Sequence, residues 1–315
     1  MSDKIASKEA ICQKLIELGN KDKDIVVLTS DSRGSASMAE FAGKLPKQFV
    51  ELGIAEQNLV GQAAGLAASG KKPFIASYAA FLSMRSIEQI KVDVAYSGVP
   101  VKIIGISGGV SYGPLGMSHH ALQDIAAIRA IPGIDIILPA SPLESKSLIE
   151  KLINYERPVY VRVERNPVSE IYSSEDIDFE IGKAITLKEG KDITLAACGR
   201  MVNTVLESAV KLKKEGIDCR VLNLHTIKPL DKEAIIKAAA ETSAIITLEE
   251  HSIYGGLGSA VAETVVQNHP VPVKIMGLPD EPVVAGKPEE IFHHYGLDSR
   301  GVIKQVKKVL SEPNK

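Results

Sequence analysis

The sequence predicts an α/β protein made of two open, largely parallel-sheet α/β domains. Short apolar runs and amphipathic runs alternate from end to end of the 315 residues, the pattern of βαβ units on a parallel sheet. Aromatic residues make up only 4% and Trp is absent. Ala, Val, Ile and Leu must therefore fill the core, which suits strands buried on both faces by helices. The alternation breaks once, in an acidic polar stretch (SSEDIDFE) that follows Pro167.

The first domain, over 1–166, opens with an amphipathic helix at Ser7–Leu18. Strands rich in Val, Ile and Phe, each bounded by turn residues, follow at Asp24–Ser30 (DIVVLTS), Phe49–Leu52, Pro73–Tyr78, Val101–Ser107, Asp135–Leu138 and Val159–Val163. Helical periodicity fills the gaps at Glu56–Ser69, Ser83–Tyr96, Leu122–Ala130 and Pro142–Asn154. Residues 167–184 have no long apolar run and are read as an interdomain linker. A second domain over 185–315 repeats the alternation. Its strands are Ile193–Cys198, Cys219–Leu224, Ala244–Leu248 and Val271–Met276, and its helices are Met201–Glu215, Asp231–Ala240, Gly258–Gln267 and Ser299–Leu310. No internal sequence repeat relates the two halves.

A formal net charge of −2 gives no support to nucleic-acid binding. The longest apolar stretches stop short of a membrane span, and Met1–Asn20 carries charges throughout, unlike a signal peptide. Cys12, Cys198 and Cys219 form no CxxC pair. They read as buried free thiols of a protein kept in a reducing cytoplasm.

Open parallel sheets put their chemistry beyond the carboxyl ends of the strands, so the segments leaving the strands carry the candidates. In Glu51-Leu52-Gly53-Ile54-Ala55-Glu56-Gln57-Asn58 a strand passes through a Gly turn into a helix. Glu56 falls in the helix's first turn, beside the apolar run Ala63–Ala68. The helix N-terminus favours its charged form and an apolar pocket favours its neutral one. A carboxyl so poised can share a proton with a ring nitrogen, or it is an ordinary first-turn glutamate.

After Val101–Ser107 comes a Gly-rich segment, Gly108 to Gly116, ending in His119-His120 at the start of a helix. Gly permits close backbone approach to a ligand. Adjacent histidines usually point apart, so a polar lip with one His moving a proton, or a capping pair, suits better than a metal site. Arg165 leaves the strand Val159–Val163 at the same rim, placed for an anion or for a salt bridge to Glu164 or Glu170. Asp31 to Ser35 leave the first strand there as a turn or a ligand loop. Tyr78 and Phe81 can stack on a planar ring or pack the core. Glu249 to Gly258 (EEHSIYGGLG) lacks the order of a phosphate loop and reads as structural or as an interface.

These segments together resemble the transketolase group of thiamine-diphosphate enzymes. ELGIAEQN, YAAFLS, GPLGMSHHALQDIAAIRAIPG, VRVERNP and EEHSIYGGLGSAVAE carry the resemblance, which covers nearly the whole chain but only the pyrimidine-binding and C-terminal domains of a full transketolase. The family's GDG diphosphate-and-metal motif is absent from it. The resemblance therefore implies a split enzyme: an N-terminal partner subunit holds Mg2+ and the cofactor's diphosphate, in an α2β2 heterotetramer, and this chain alone is inactive. Glu56 is implied to hydrogen-bond N1′ of the thiamine diphosphate aminopyrimidine, with Phe81 and Tyr78 as its aromatic wall and Asp31 nearby. Met84 and Arg85, just beyond Phe81, are further candidates.

The implied reaction moves a two-carbon ketol unit from a ketose phosphate to an aldose phosphate. His119 would touch the sugar's oxygens and aid proton transfer, and Arg165 and Ser35 would bind substrate phosphate. Two positions depart from the family pattern: Leu115 replaces an aspartate that reads a hydroxyl, and Ser107 a histidine that contacts phosphate. Both bear on the substrate rather than on the cofactor. The chain also resembles deoxyxylulose phosphate synthase in ELGIAEQ and EEHSIYGGLGSAVAE, and the beta subunit of 2-oxoacid dehydrogenase decarboxylases in length. A non-catalytic assembly subunit is a further alternative.

Overall fold

A computed structural model describes residues 5–174 and 177–312. In chain order the elements are α1 (Ser7–Lys21), β1 (Ile25–Thr29), α2 (Ala39–Lys44), β2 (Phe49–Glu51), α3 (Glu56–Ala68), β3 (Lys72–Tyr78), α4 (Ala79–Arg85) and α5 (Ile87–Gln89), the last running into a π-helical turn at Ile90–Tyr96. Then come β4 (Lys102–Ile106), a 3-10 segment (Gly113–Ser118), α6 (Asp124–Arg129), β5 (Asp135–Ile137), α7 (Pro142–Leu152) and β6 (Val159–Val163). Beyond the linker follow β7 (Ile185–Lys188), β8 (Ile193–Ala197), α8 (Met201–Lys214), β9 (Cys219–Asn223), β10 (Thr226–Lys228) and α9 (Lys232–Glu241). The chain closes with β11 (Ile245–Ser252), α10 (Leu257–Asn268), β12 (Val273–Leu278), α11 (Pro288–His294) and α12 (Ser299–Ser311).

Two sheets result. The first has seven strands in the order β10-β5-β6-β4-β3-β1-β2, parallel except for β10, and the second has five in the order β12-β11-β8-β9-β7, parallel except for β7. The largely parallel α/β expectation holds. β1, β4, β5, β6, β8 and β9 are buried along their whole length, as strands covered by helices on both faces must be. β10 comes from the carboxyl-terminal region yet pairs with β5 of the first sheet, so the two layers share backbone hydrogen bonds.

Local chemistry accounts for most element ends. Ser141 accepts from the Glu144 N–H with Pro142 behind it, and Asp231 and Asp298 cap α9 and α12 in the same way. The expected helix Ser83–Tyr96 is instead split. It starts at Ala79, is interrupted at Ser86 (φ −109°, ψ 15°), and resumes with the π turn that sends Ile90 and Val94 into the core. The expected strand from Val271 starts two residues later. Pro270 and Pro272 cannot donate to a ladder, and pairing with β11 begins at Val273. The helix expected from Leu122 begins at Asp124, because Gly109 and Ala121 pair as an isolated antiparallel bridge. His119 and His120 thus end a 3-10 segment rather than open a helix. Of the linker stretch, Glu175 and Asp176 lie outside the described residues.

Leaving β1, the chain goes first to β2 on one side and then to β3 on the other. The reversal puts a crevice between β1 and β3 at their carboxyl ends, where such sheets bind ligands.

Candidate active site

Around that crevice the structure gathers side chains from six segments. Gly53, with φ +71°, turns the chain out of β2, a conformation that suits glycine. Glu56 then opens α3, only 5% exposed. Arg85, at the end of α4, donates from Nη1 to Glu56 Oε2 at 3.2 Å, and its guanidinium carbon lies 4.0 Å over the Phe81 ring. A flat cation therefore stacks on Phe81 and hydrogen-bonds Glu56 at the same time.

An aromatic box continues from Phe81. The His119 ring stands edge-on to it at 5.1 Å, to Tyr112 at 5.4 Å and to Tyr78 at 6.0 Å, while Tyr78 and Tyr112 stack at 5.8 Å. His119 Nδ1 lies 2.9 Å from Ser118 Oγ. Partial burial, then the Arg85 charge, holds the His119 pKa below the ordinary histidine value, so the ring is neutral at physiological pH and free to accept a proton. His120 turns inward instead. It is buried, with Nε2 3.2 Å from the Gly113 carbonyl oxygen. Among the described residues no cluster of three or more His, Cys, Asp or Glu side chains could hold a metal ion.

The far end of the box is basic. The Arg165 guanidinium lies 4.0 Å over Tyr112, and its Nη1 is buried without a partner. Among the described residues it has no carboxylate partner; Glu164 and Glu170, the alternatives from sequence, are engaged elsewhere. Lys8 donates to the Ser35 carbonyl oxygen at 2.8 Å, and Tyr78 Oη donates to Ser35 Oγ at 2.7 Å. Burial, then the Arg165 charge, lowers the Lys8 pKa. Two neighbouring cations, neither in a salt bridge among the described residues, make a place for an anion.

Glu56, Phe81, Tyr78, His119, Ser35 and Arg165 thus form one connected series. Asp31 stands apart. It is exposed, with φ +52°, and its N–H donates to Glu51 Oε1 at 2.6 Å. That same oxygen accepts from Leu52 N–H and Gly53 N–H, so Asp31 is linked to the Glu56 turn through the Glu51 carboxylate. Ser107 is 1% exposed, with φ +57° and no partner for its hydroxyl, and is shut away from the open cluster. Met84 and Leu115 are exposed at its rim. Lys8 and Tyr112 were not expected from sequence; each looks ordinary until the fold sets it against Arg165.

A buried carboxylate beside stacked aromatics, with two cations at the other end, on a parallel sheet followed by a second α/β domain, is an arrangement able to take a flat ring and an anion. Comparison with known proteins makes the class specific. Residues 3–169 match the family "Transketolase, pyrimidine binding domain", and residues 182–302 match "Transketolase, C-terminal domain". The chain is 52% identical over 300 residues to an apulose-4-phosphate transketolase subunit of Phocaeicola vulgatus, covering 95% of this chain and 96% of that protein. It is 37% identical to the 6-deoxy-6-sulfo-D-fructose transketolase subunit SqwH of Clostridium sp., over 95% of this chain and 93% of that one. Among solved structures it superposes on a split-gene transketolase, an inactive beta4 tetramer, with a TM-score of 0.90 and 39% identity, covering 98% and 99% of the two chains. A transketolase of Pichia stipitis (mutant R525L) shares the fold at TM-score 0.82 and 18% identity, with 46% of that chain covered. This chain belongs to the transketolase family, in the form of a carboxyl-terminal subunit.

Proposed function

We propose that this chain is the carboxyl-terminal subunit of a split, thiamine-diphosphate-dependent transketolase that moves a two-carbon ketol unit from a ketose phosphate to an aldose phosphate. One observation carries the reading: Arg85 already makes, with one flat group, the two contacts an aminopyrimidine needs, stacking on Phe81 and hydrogen-bonding to buried Glu56. Glu56 would share a proton with N1′ of the ring, with Phe81 and Tyr78 as the wall of its pocket and Asp31 at its edge. When bound, the cofactor supplies the carbon nucleophile that accepts the ketol unit. Neutral His119 would take or return a proton at the sugar's oxygens. Arg165, with Lys8 and Ser35, would bind the substrate's phosphate. Leu115 at the rim offers no group to read a hydroxyl, which favours a modified sugar phosphate.

The site is half a site. Ile54 is 74% exposed, and Met84, Leu115 and Met117 are exposed beside Glu56, Phe81 and His119. An apolar rim around a polar site marks a protein interface. The partner is an amino-terminal transketolase subunit that holds Mg2+ and the diphosphate, in a cytoplasmic α2β2 heterotetramer. The net charge of −2 gives no support to a nucleic-acid partner, and among the described residues no helix is long and apolar enough to cross a membrane. Mixing this chain with that partner, thiamine diphosphate and Mg2+ yields ketol transfer that neither chain gives alone. Glu56→Ala lowers it by ~10²-fold or more, the size of a lost acid–base group. Unchanged activity in Glu56→Ala would sink the proposal.

A further inference from the structure

The segment Glu249 to Gly258 has no part in the site just described, yet its polar residues Glu249, Glu250 and His251 are all buried. Glu249 accepts the Leu257 and Gly258 N–H groups at 2.7 and 2.8 Å and so caps α10. Its neighbour Glu250 faces the other domain. Glu250 Oε1 accepts the Val110 N–H at 2.8 Å, and its backbone oxygen accepts from Arg162 Nη2 at 2.5 Å. A Cβ on Gly109 would fall 2.3 Å from the Glu250 side chain, and Gly109 has φ +60°. The Gly108-Gly109 turn therefore lets the loop close onto this carboxyl group.

Glu250 has a second partner across the interface. Its carboxyl group lies within electrostatic reach of that of Glu164; both are buried, and Oε2 of each has no hydrogen-bond partner. Burial, and for Glu250 the neighbouring Glu164 charge, raises the pKa of both carboxyl groups, so the pair away from water favours holding a proton. Glu164 immediately precedes Arg165, and Val110 lies two residues before Tyr112 in the loop that ends at His119. No contact of Glu250 reaches Glu56 or Phe81 among the described residues.

We propose that Glu250, contributed by the C-terminal domain, is a positioning residue for the substrate end of the cleft. Through Val110 it fixes the loop bearing Tyr112 and His119, and through Glu164 it fixes the strand end bearing Arg165. The inference rests on the reading of the site given under Proposed function, and it gives the second domain a task in substrate recognition. A single carboxyl group seats both faces that meet the sugar phosphate, while the pyrimidine end is held independently by Glu51 and α3.

The test uses the assembled two-subunit enzyme. Glu250→Ala raises KM for a phosphorylated ketose at least tenfold and leaves KM for thiamine diphosphate within twofold. Glu250→Gln keeps an oxygen for Val110 N–H and an N–H for Glu164, and it returns the sugar KM to within threefold of wild type. A sugar KM within twofold in Glu250→Ala, or equal rises in both constants, overturns the proposal. If Glu250→Ala does not fold, Glu164→Ala carries the same criterion. Amide exchange over residues 108–121 of this chain alone is read in parallel. It is at least tenfold faster in the Ala variant than in wild type or Glu250→Gln, and equal rates overturn the proposal. Accelerated exchange in the Ala variant, with no ketol transfer by the wild-type assembly, would refute the functional reading and leave the positioning role standing.

Discussion

Arg165→Lys separates the anion seat from the rest of the site. In the structure the guanidinium lies 4.0 Å over the Tyr112 ring with no carboxylate partner among the described residues, and Nη1 is buried without a hydrogen bond. Lysine keeps the charge but loses the stack, worth about 0.5–2 kcal/mol. It also loses the second N–H of a two-pronged grip on phosphate, where a charge-assisted hydrogen bond contributes about 1.5–3 kcal/mol. Lysine's own ammonium recovers part of this, leaving a net loss of about 2–3 kcal/mol. That is ~30- to 150-fold in kcat/KM at 1.4 kcal/mol per tenfold. Steady-state kinetics with one ketose in its phosphorylated and unphosphorylated forms read the effect. The loss should fall on the phosphorylated form alone. Equal losses for both forms, or less than threefold for the phosphorylated one, would refute the assignment of Arg165 to the anion.

Three further outcomes follow from the packing. Gly109→Ala places a methyl group 2.3 Å from Glu250 in a left-handed turn; it should raise the sugar KM and lower stability by about 2 kcal/mol or more, read by denaturant unfolding. Tyr160→Phe removes the 2.8 Å hydrogen bond from Tyr160 Oη to Asp124 Oδ2 inside the core, and should cost about 1.5–3 kcal/mol; a change below ~0.5 kcal/mol would show that Arg162 satisfies Asp124 unaided. His225 is buried against Phe179 at 4.3 Å, and burial lowers its pKa to about 4. The folded state thus binds fewer protons than the unfolded one between pH 6.5 and 4, and the stability this residue contributes is full above 6.5 and lost as pH falls toward 4. Wild type should therefore lose about 3 kcal/mol relative to His225→Phe across that range; parallel curves would contradict the burial argument.

Much of the fold was legible because its strands are Val- and Ile-rich runs separated by turn residues. The elements missed are those whose identity depends on a neighbour. β7 has no fully buried residue, and β10 is three residues long and paired with the other domain's sheet. The short helices α2 and α11 bury few apolar side chains, so periodicity has little to register. In the site, Glu56, Phe81, Tyr78, His119, Ser35 and Arg165 could be named from motifs and meet in one cluster. Lys8 could not, because it lies on the first turn of an amphipathic helix like any surface lysine. Glu250 was visible as part of a motif but not as a site residue, since its partners Val110 and Glu164 are far from it in the chain and only the fold brings them to it.

Backbone strain points to the same rim. The three non-glycine residues with positive φ among those described, Asp31, Ser37 and Ser107, all follow the carboxyl ends of β1 or β4. Each such conformation costs on the order of 1–3 kcal/mol and persists only where surrounding contacts over-determine it. For Asp31 the contact is visible. Glu51 Oε1 takes the Asp31, Leu52 and Gly53 N–H groups together, while Oε2 takes the Thr29 hydroxyl. One carboxylate thereby ties the strained turn after β1 to the turn that launches Glu56. Removing it would release both turns at once, so Glu51→Ala should weaken cofactor binding while leaving the Arg165 end intact. Glu250→Ala should do the reverse. The two variants together test whether the cleft is held as two independent ends: each should move one Michaelis constant and spare the other. If either variant moved both constants equally, the cleft would be a single cooperative unit, and the separation between pyrimidine end and substrate end would fail.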